Sequence, residues 1–232
     1  MKPSLELLKD GLIVSCQAPD ESPLNRVEIL SAFALTAEQN GAAGVRLNGA
    51  ACIRGARPLI KVPIIGLEKS EVPGYEVYIT PTLEAARAVI ASGCDLIAID
   101  ATKRRRPVGQ GLATIIKSLR KEFDVGIVAD IANIEEGLEA EQMGIDAVAT
   151  TLAGFTRDTR GHALPNYDLV CGLARRLKIP LICEGGISTT HQVRRAFEEG
   201  AYAVCVGRAL TGLDWLVQEY NSATPRMTQA PI

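Results

Sequence analysis

The sequence predicts one α/β domain, residues 1–232, in which eight strand-then-helix units close into a parallel barrel. Three observations support this. Short β-branched runs recur eight times with amphipathic helical stretches between them, the order that right-handed crossovers turn into a parallel sheet. Several helical stretches stop at a glycine, in Asn40-Gly41, Ser92-Gly93, Met143-Gly144 and Glu199-Gly200, the left-handed stop that turns the chain into the next strand. Hydrophobic residues make up 47% of the chain and aromatics only 4%, so Ala, Val, Ile and Leu must fill the core, as suits strands covered by helices. Eight units favour a (β/α)8 TIM barrel over an open doubly wound sheet.

Taken in order, strands are expected at residues 12–16, 44–47, 62–66, 96–100, 126–130, 147–151, 181–184 and 203–207. Helical patterns follow at 26–40, 83–92, 111–123, 134–143, 167–177, 190–199 and 213–220. The apolar piece 77–80 reads as a short extended lead into the next helix, with Pro81 at its start, rather than as a ninth strand. Residues 1–10 form an N-terminal extension, and the Pro-containing tail 222–232 is expected to fray.

Composition narrows the function classes. A formal net charge of −2, with both signs spread along the chain, supplies no general field for nucleic acid or an anionic membrane surface. No apolar run approaches the roughly 20 residues that cross a bilayer, and residues 1–10 lack a signal peptide's apolar core. Six dispersed cysteines without a CxxC pair read as free thiols in a reducing, cytoplasmic setting. Cys16, Cys183 and Cys205 fall inside strand-like runs, where a thiol behaves as a small hydrophobe. His162 and His191 lie away from the strand ends, and no His/Asp/Glu set has metal-ligand spacing, so no metal is expected. No GxGxxG follows the first strand, so no dinucleotide cofactor is expected. A small-molecule substrate is the expected partner.

The carboxyl ends of barrel strands converge on one face, where barrel enzymes keep their chemistry. Every predicted strand ends in polar residues. Ser15 and Gln17 close the first, Arg46 and Asn48 the second, and Lys69 stands just past the third. Asp100 and Thr102 end the fourth, Asp130 and Asn133 the fifth, Thr150 and Thr151 the sixth, Glu184 the seventh, and Arg208 follows the eighth. A lysine whose pKa is lowered by burial or a neighbouring cation is a proton-transfer group near neutral pH. On position alone, Lys69 could equally be a solvated loop residue. Gly185-Gly186 and Gly207-Arg208 sit in the last two units, where backbone N–H groups can approach an anion, and together they form the expected phosphate site. The basic run Lys103-Arg104-Arg105-Arg106 is either a solvated loop or a clamp, with Arg104 or Arg106 turned inward onto an acidic group or a catalytic carboxylate.

The blocks Val14-Ser15-Cys16-Gln17-Ala18, Gly44-Val45-Arg46-Leu47-Asn48-Gly49, Pro63-Ile64-Ile65-Gly66 with Lys69, and Ile79-Thr80-Pro81-Thr82 occur in this order. They continue with Ile99-Asp100-Ala101-Thr102, Arg104, Arg106-Pro107, Ala129-Asp130-Ile131, Thr150-Thr151-Leu152-Ala153-Gly154-Phe155-Thr156 and Glu184-Gly185. On these blocks the chain resembles the N-acetylmannosamine-6-phosphate 2-epimerase family from about Gly11 to Trp215. It departs at Ser70, where members often have Arg, and at Gly186, where many have Arg; Arg208 is the candidate substitute at the phosphate end.

The resemblance implies interconversion of N-acetylmannosamine 6-phosphate and N-acetylglucosamine 6-phosphate in sialic acid catabolism, without metal or redox cofactor. It implies that Lys69 removes the C2 proton of the open-chain sugar. Glu184 would assist ring opening or shuttle a proton on a sugar hydroxyl. Arg46 would hold the lysine pKa down and stabilise the oxyanion, with Gln17, Asn48, Asp130 and Thr151 orienting the substrate and Asp100, Arg104 and Arg106 in support. A homodimer is expected by likeness to other barrels of this kind. Two other readings stand beside it: a Schiff-base lyase using Lys69, and a catalytically silent sugar-phosphate sensor.

Overall fold

The first strand is paired from both ends of the chain. In the computed structural model, which describes residues 1–225, β1 (Leu12–Cys16) runs parallel to β2 (Gly44–Asn48) on one side and to β8 (Ala203–Val206) on the other. Between them lie β3 (Ile64–Leu67), β4 (Leu96–Asp100), β5 (Gly126–Asp130), β6 (Ala147–Ala149) and β7 (Leu181–Glu184). Among the described residues the eight strands close in sequence order, giving the expected TIM barrel. β3 starts two residues late because Pro63 has no N–H to give the ladder and the Val62 N–H is taken by Glu38. β6 stops at Ala149, and just beyond it the Thr150 hydroxyl bonds to the Glu184 backbone.

The expected helices form as α2 (Val27–Gln39), α4 (Leu83–Ala91), α5 (Leu112–Glu122), α6 (Ile134–Gln142), α7 (Tyr167–Ala174), α8 (Thr190–Glu198) and α10 (Leu213–Ser222), after α1 (Pro3–Glu6) and α3 (Ala50–Ala56) are counted. α9 (Arg208–Thr211) follows β8. A helix is expected after every strand, but α1, α3 and α9 carry no sequence-assigned range, since four to seven residues hold too little periodicity to read. Side-chain caps start several of the longer helices. Thr82, Asn133 and Asn166 accept from N–H groups of the first turn, and Thr189 forms a reciprocal box with Gln192. Residues 226–232 of the expected tail lie outside the described residues, while Ala223 and Thr224 bond back onto α10.

Strand alternation divides the core in two. Val45, Leu47, Ile97, Ile99, Ile127 and Val204 point outward to the helices. Ile13, Ile65, Ala98, Val128, Ala149, Ile182, Ala203 and Cys205 fill the interior. Leu5 and Leu8, both 0% exposed, join the interior cluster, so the N-terminal segment plugs the lower end of the barrel. Tyr202 fixes it there, its backbone O accepting from the Asp10 N–H and its hydroxyl donating to Leu5 O at 3.1 Å. The opposite mouth is left to polar groups.

One irregularity shapes that mouth. β3 and β4 pair only at Ile65–Leu96 and Gly66–Ile97. Beyond those pairs the two strands separate, and Ile79–Thr80 is inserted between them. The Thr80 N–H donates to Glu68 O at 2.6 Å and the Ser70 N–H to Tyr78 O at 2.9 Å, which pairs Lys69 with Ile79 in antiparallel fashion. On the other edge the Asp100 N–H donates to Ile79 O at 3.1 Å. The piece 77–80 is therefore neither a ninth strand nor a simple lead, but a wedge one residue pair long. Thr80 adopts φ 45, a left-handed conformation rare for a β-branched residue.

Candidate active site

Arg46 organises the mouth. It points inward from β2, is 2% exposed, and grips Asp130 of β5 through Nη1–Oδ1 at 3.0 Å and Nη2–Oδ2 at 2.5 Å. Its Nη1 also donates to Glu184 Oε2 of β7 at 2.9 Å. The Thr151 hydroxyl donates to Asp130 Oδ1 at 2.6 Å. The Thr150 hydroxyl holds the Glu184 backbone, accepting from its N–H at 3.0 Å and donating to its O at 2.8 Å. A bidentate guanidinium–carboxylate pair is the strong form of such contacts.

Lys69 stands beside this network. It extends past β3 from a backbone N–H bonded to Asn48 Oδ1 at 2.8 Å, and its ammonium makes no ion pair among the described residues. Lys69 sits opposite Ile79 in a pair without mutual backbone bonds, the type that brings side chains closest, so its stem runs beside an apolar neighbour. Crowding by protein lowers its pKa first, and the Arg46 charge lowers it further, while Glu184, Asp130 and Asp20 oppose the change. The residue stays open to water across the mouth, which moderates the shift.

Glu184 moves the other way. Burial raises its pKa and Asp130 adds to this, against Arg46, Cys205 and Thr151. Its side chain keeps 14% accessibility, enough to meet a ligand. A lysine shifted toward the neutral amine and a glutamate shifted toward the neutral acid therefore face the same space. In barrel order β3 and β7 lie four strands apart, on opposite sides of the mouth.

The remaining expected residues divide. Gln17 donates through Nε2 to Ser15 Oγ at 2.9 Å, and its Oε1 is buried without a partner among the described residues. Asp100, 0% exposed at the end of β4, accepts from the Thr102 N–H and hydroxyl and from Arg104 Nη2 at 2.7 Å. Arg104 thus turns inward onto a carboxylate. Arg106 is 7% exposed, yet neither of its terminal nitrogens has a hydrogen-bond partner among the described residues.

At the expected phosphate end, Gly185 and Gly186 adopt φ 108 and φ 75, where a side chain is strained. A Cβ at position 186 would lie 2.3 Å from Leu164 Cβ and 3.1 Å from its backbone carbonyl carbon, so the path of the chain at Leu164 takes the space that any side chain at 186 would need. Gly207 precedes α9, and the Thr211 hydroxyl ties that helix to Ser15 O at 2.7 Å. Arg208 is exposed and stacks over Trp215 at 5.0 Å, on the rim rather than in the network.

Three contributors were missed. Cys205 is the register partner of Glu184 and stands beside it inside the barrel; alternation along β8 could have placed it there. Tyr78 packs on the interior cluster, and its phenol feels Asp130, Asp100, Arg104 and Arg46. Thr80 belongs to the wedge. Neither Tyr78 nor Thr80 carried a strand-end signal. A cavity of about 690 Å³ lies outside the barrel between α6 and α7, lined by residues such as Asn133, His162, Asn166 and Arg195. It does not include Lys69 or Glu184, and the convergence of charged groups at the mouth is the better guide to chemistry.

Comparison with known proteins agrees with this geometry. Residues 30–226 match the family described as "Putative N-acetylmannosamine-6-phosphate epimerase". A curated relative from Synechococcus elongatus, named "Putative N-acetylmannosamine-6-phosphate 2-epimerase", is 45% identical over 94% of this chain and 95% of its own length. One of that name from Thermosynechococcus vestitus is 43% identical over 93% of this chain and 94% of its own. Among solved structures, the N-acetylmannosamine-6-phosphate 2-epimerase from Clostridium perfringens superposes with a TM-score of 0.91 at 36% identity, covering 95% of this chain and 96% of that one. The thiamine phosphate pyrophosphorylase from Pyrococcus furiosus, at 17% identity and TM-score 0.60, covering 93% of this chain and 98% of its own, shares the fold alone. With its barrel and most of its length matched, the chain belongs to the N-acetylmannosamine-6-phosphate epimerase family.

Proposed function

We propose that this protein interconverts N-acetylmannosamine 6-phosphate and N-acetylglucosamine 6-phosphate by moving a proton at C2, in the catabolism of amino sugars. The observation that carries the reading is the placement of Lys69 and Glu184 on opposite sides of one mouth, with pKa values displaced toward a neutral amine and a neutral acid. Inverting a carbon requires a proton to leave one face and another to arrive at the other. The C2 hydrogen is acidic only when the ring is open and C1 is an aldehyde, because the electron pair then spreads into an enolate.

Lys69 takes the proton from C2 and becomes an ammonium, and Arg46 offers a fixed positive charge to the oxyanion. The carboxylic acid of Glu184 returns a proton to the opposite face, directly or through a sugar hydroxyl, and proton exchange with water resets both groups. Asn48, Gln17, Asp130 and Thr151 orient the chain of hydroxyls and the acetamido group. The glycine loops at Gly185, Gly186 and Gly207 receive the phosphate, with Arg208 at the rim as its cation. The reaction is redox-neutral and draws on no redox cofactor.

The six free thiols fit a cytoplasmic enzyme. The exposed row Leu210, Leu213, Trp215, Val217 and Tyr220 on α9 and α10 fits a homodimer, with the small phosphosugar as the other partner. The test is a proton-NMR time course of the sugar phosphate in heavy water. The native protein should form the epimer with deuterium at C2, and Lys69→Ala should lose both. Exchange at the native rate in Lys69→Ala would remove Lys69 as the base, and the absence of any epimer from the native protein would remove the function.

A further inference from the structure

The wedge between β3 and β4 is an unusual way to hold a reactive lysine. A residue one step beyond the end of a strand has, as a rule, only loop to support it. Here the backbone on both sides of Lys69 is bonded into a ladder. Glu68 O accepts from the Thr80 N–H at 2.6 Å and the Ser70 N–H donates to Tyr78 O at 2.9 Å. The ladder is fixed to the barrel through one side chain. The Thr80 hydroxyl donates to Ala98 O of β4 at 2.7 Å and accepts from the Glu68 N–H at 3.2 Å.

One hydroxyl thus bridges the separating ends of β3 and β4, next to the lysine. Thr80 is 0% exposed and holds a left-handed backbone that is costly in a β-branched residue. Such strain persists only where the surroundings impose it, and here it lets the same residue present both its N–H and its hydroxyl to Glu68.

We infer that Thr80 is a positioning residue for Lys69: its hydroxyl locks the β3–β4 wedge so that the lysine stands beside Ile79 and faces the Arg46–Asp130–Glu184 network. The inference rests on the proposed role of Lys69 as the base. Without the lock the backbone around Lys69 swings away from Ile79, and a base displaced by about 1 Å loses on the order of a hundredfold in rate. The amine also gains water, so its pKa returns toward that of an ordinary lysine. The charged groups that face it, Arg46 from β2, Asp130 from β5, Glu184 from β7 and Asp20 from the loop after β1, are unchanged in that comparison.

The experiment compares Thr80→Val, Thr80→Ser and Thr80→Gly in the full chain, by kcat, KM, the pH profile of kcat and solvent-deuterium entry at C2. Thr80→Val keeps the shape and loses the hydroxyl. Its kcat should fall about ten- to a hundredfold with KM within about threefold, and the pH at which the base becomes active should move upward. Thr80→Ser restores the hydroxyl and should recover kcat to within about threefold. Thr80→Gly removes the hydroxyl while relieving the backbone, so it tests the lock in a protein that has no reason to misfold. It should share the kcat loss of the valine variant with its melting temperature held. Native kcat and an unmoved pH profile in both Thr80→Val and Thr80→Gly would overturn the inference. Loss through KM alone would overturn it too. If Lys69→Ala still turns over, the base assignment fails first; if Lys69→Ala is dead while Thr80→Gly is native, the positioning role alone fails.

Discussion

Two arginines are buried at the barrel mouth, and they are in opposite states. Arg46 is 2% exposed and uses its fork on two carboxylates from two other strands. Arg106 is 7% exposed and uses neither terminal nitrogen on any described residue, although Asp100 is close enough to favour its charge. Asp100 is already taken by Thr102 and Arg104. Burial alone therefore does not tell what a charged group contributes; the partners decide it. Removing water from an ion costs several kcal/mol, and only well-placed opposite charge and hydrogen bonds offset that.

The largest effect should come from breaking the satisfied member. Arg46→Met leaves Asp130 and Glu184 buried without their cation, which should cost about 3–5 kcal/mol in urea unfolding and abolish measurable epimerisation. A variant with native stability would mean that the two carboxylates had been protonated instead.

A smaller, pH-dependent effect should appear at Glu184. Its folded pKa lies above the unfolded value, so its contribution to stability is fully present below the ordinary carboxylate range and is lost as pH rises through the folded value. Glu184→Gln should therefore gain stability relative to the native protein as the pH is raised from about 4 toward 7. Melting curves across that range check the sign, and a difference that stays flat would contradict the raised pKa.

The smallest effect should come from the unsatisfied arginine. Arg106→Met exchanges an unpaired buried charge for an apolar chain of similar length, and its melting temperature should equal or exceed that of the native protein. A loss above about 2 kcal/mol would show that a water or a ligand normally completes Arg106.

Much of this mouth was legible in the sequence, and the reason is geometric. A strand fixes the direction of its side chains, and eight parallel strands bring their carboxyl ends together. Arg46, Asp130 and Glu184 could therefore be placed in one space from position alone, and the structure joins them by direct bonds. Lys69 could be placed at the mouth for the same reason, but how it is held could not. The wedge depends on Ile79 and Thr80 pairing with residues on two different strands, which no local pattern encodes. Tyr78 entered the site by the same route. Arg104 and Arg106 show the limit from another side: the sequence left open whether either turns inward, and only coordinates separate the one that reaches a carboxylate from the one that does not. Gly186 was legible as a departure from the family pattern, and Leu164 supplies its physical reason.

The plug at the lower end of the barrel bears on the order of assembly. The Asp10 N–H and the Gly11 carbonyl find their partners in Tyr202 and Val204, and Leu5 O finds its own in the Tyr202 hydroxyl. On the ribosome, residues 5–11 must wait until residues 202–204 have been made before those partners exist. The seal on the barrel thus joins segments 197 residues apart in sequence, and it can form only after β8 has been made.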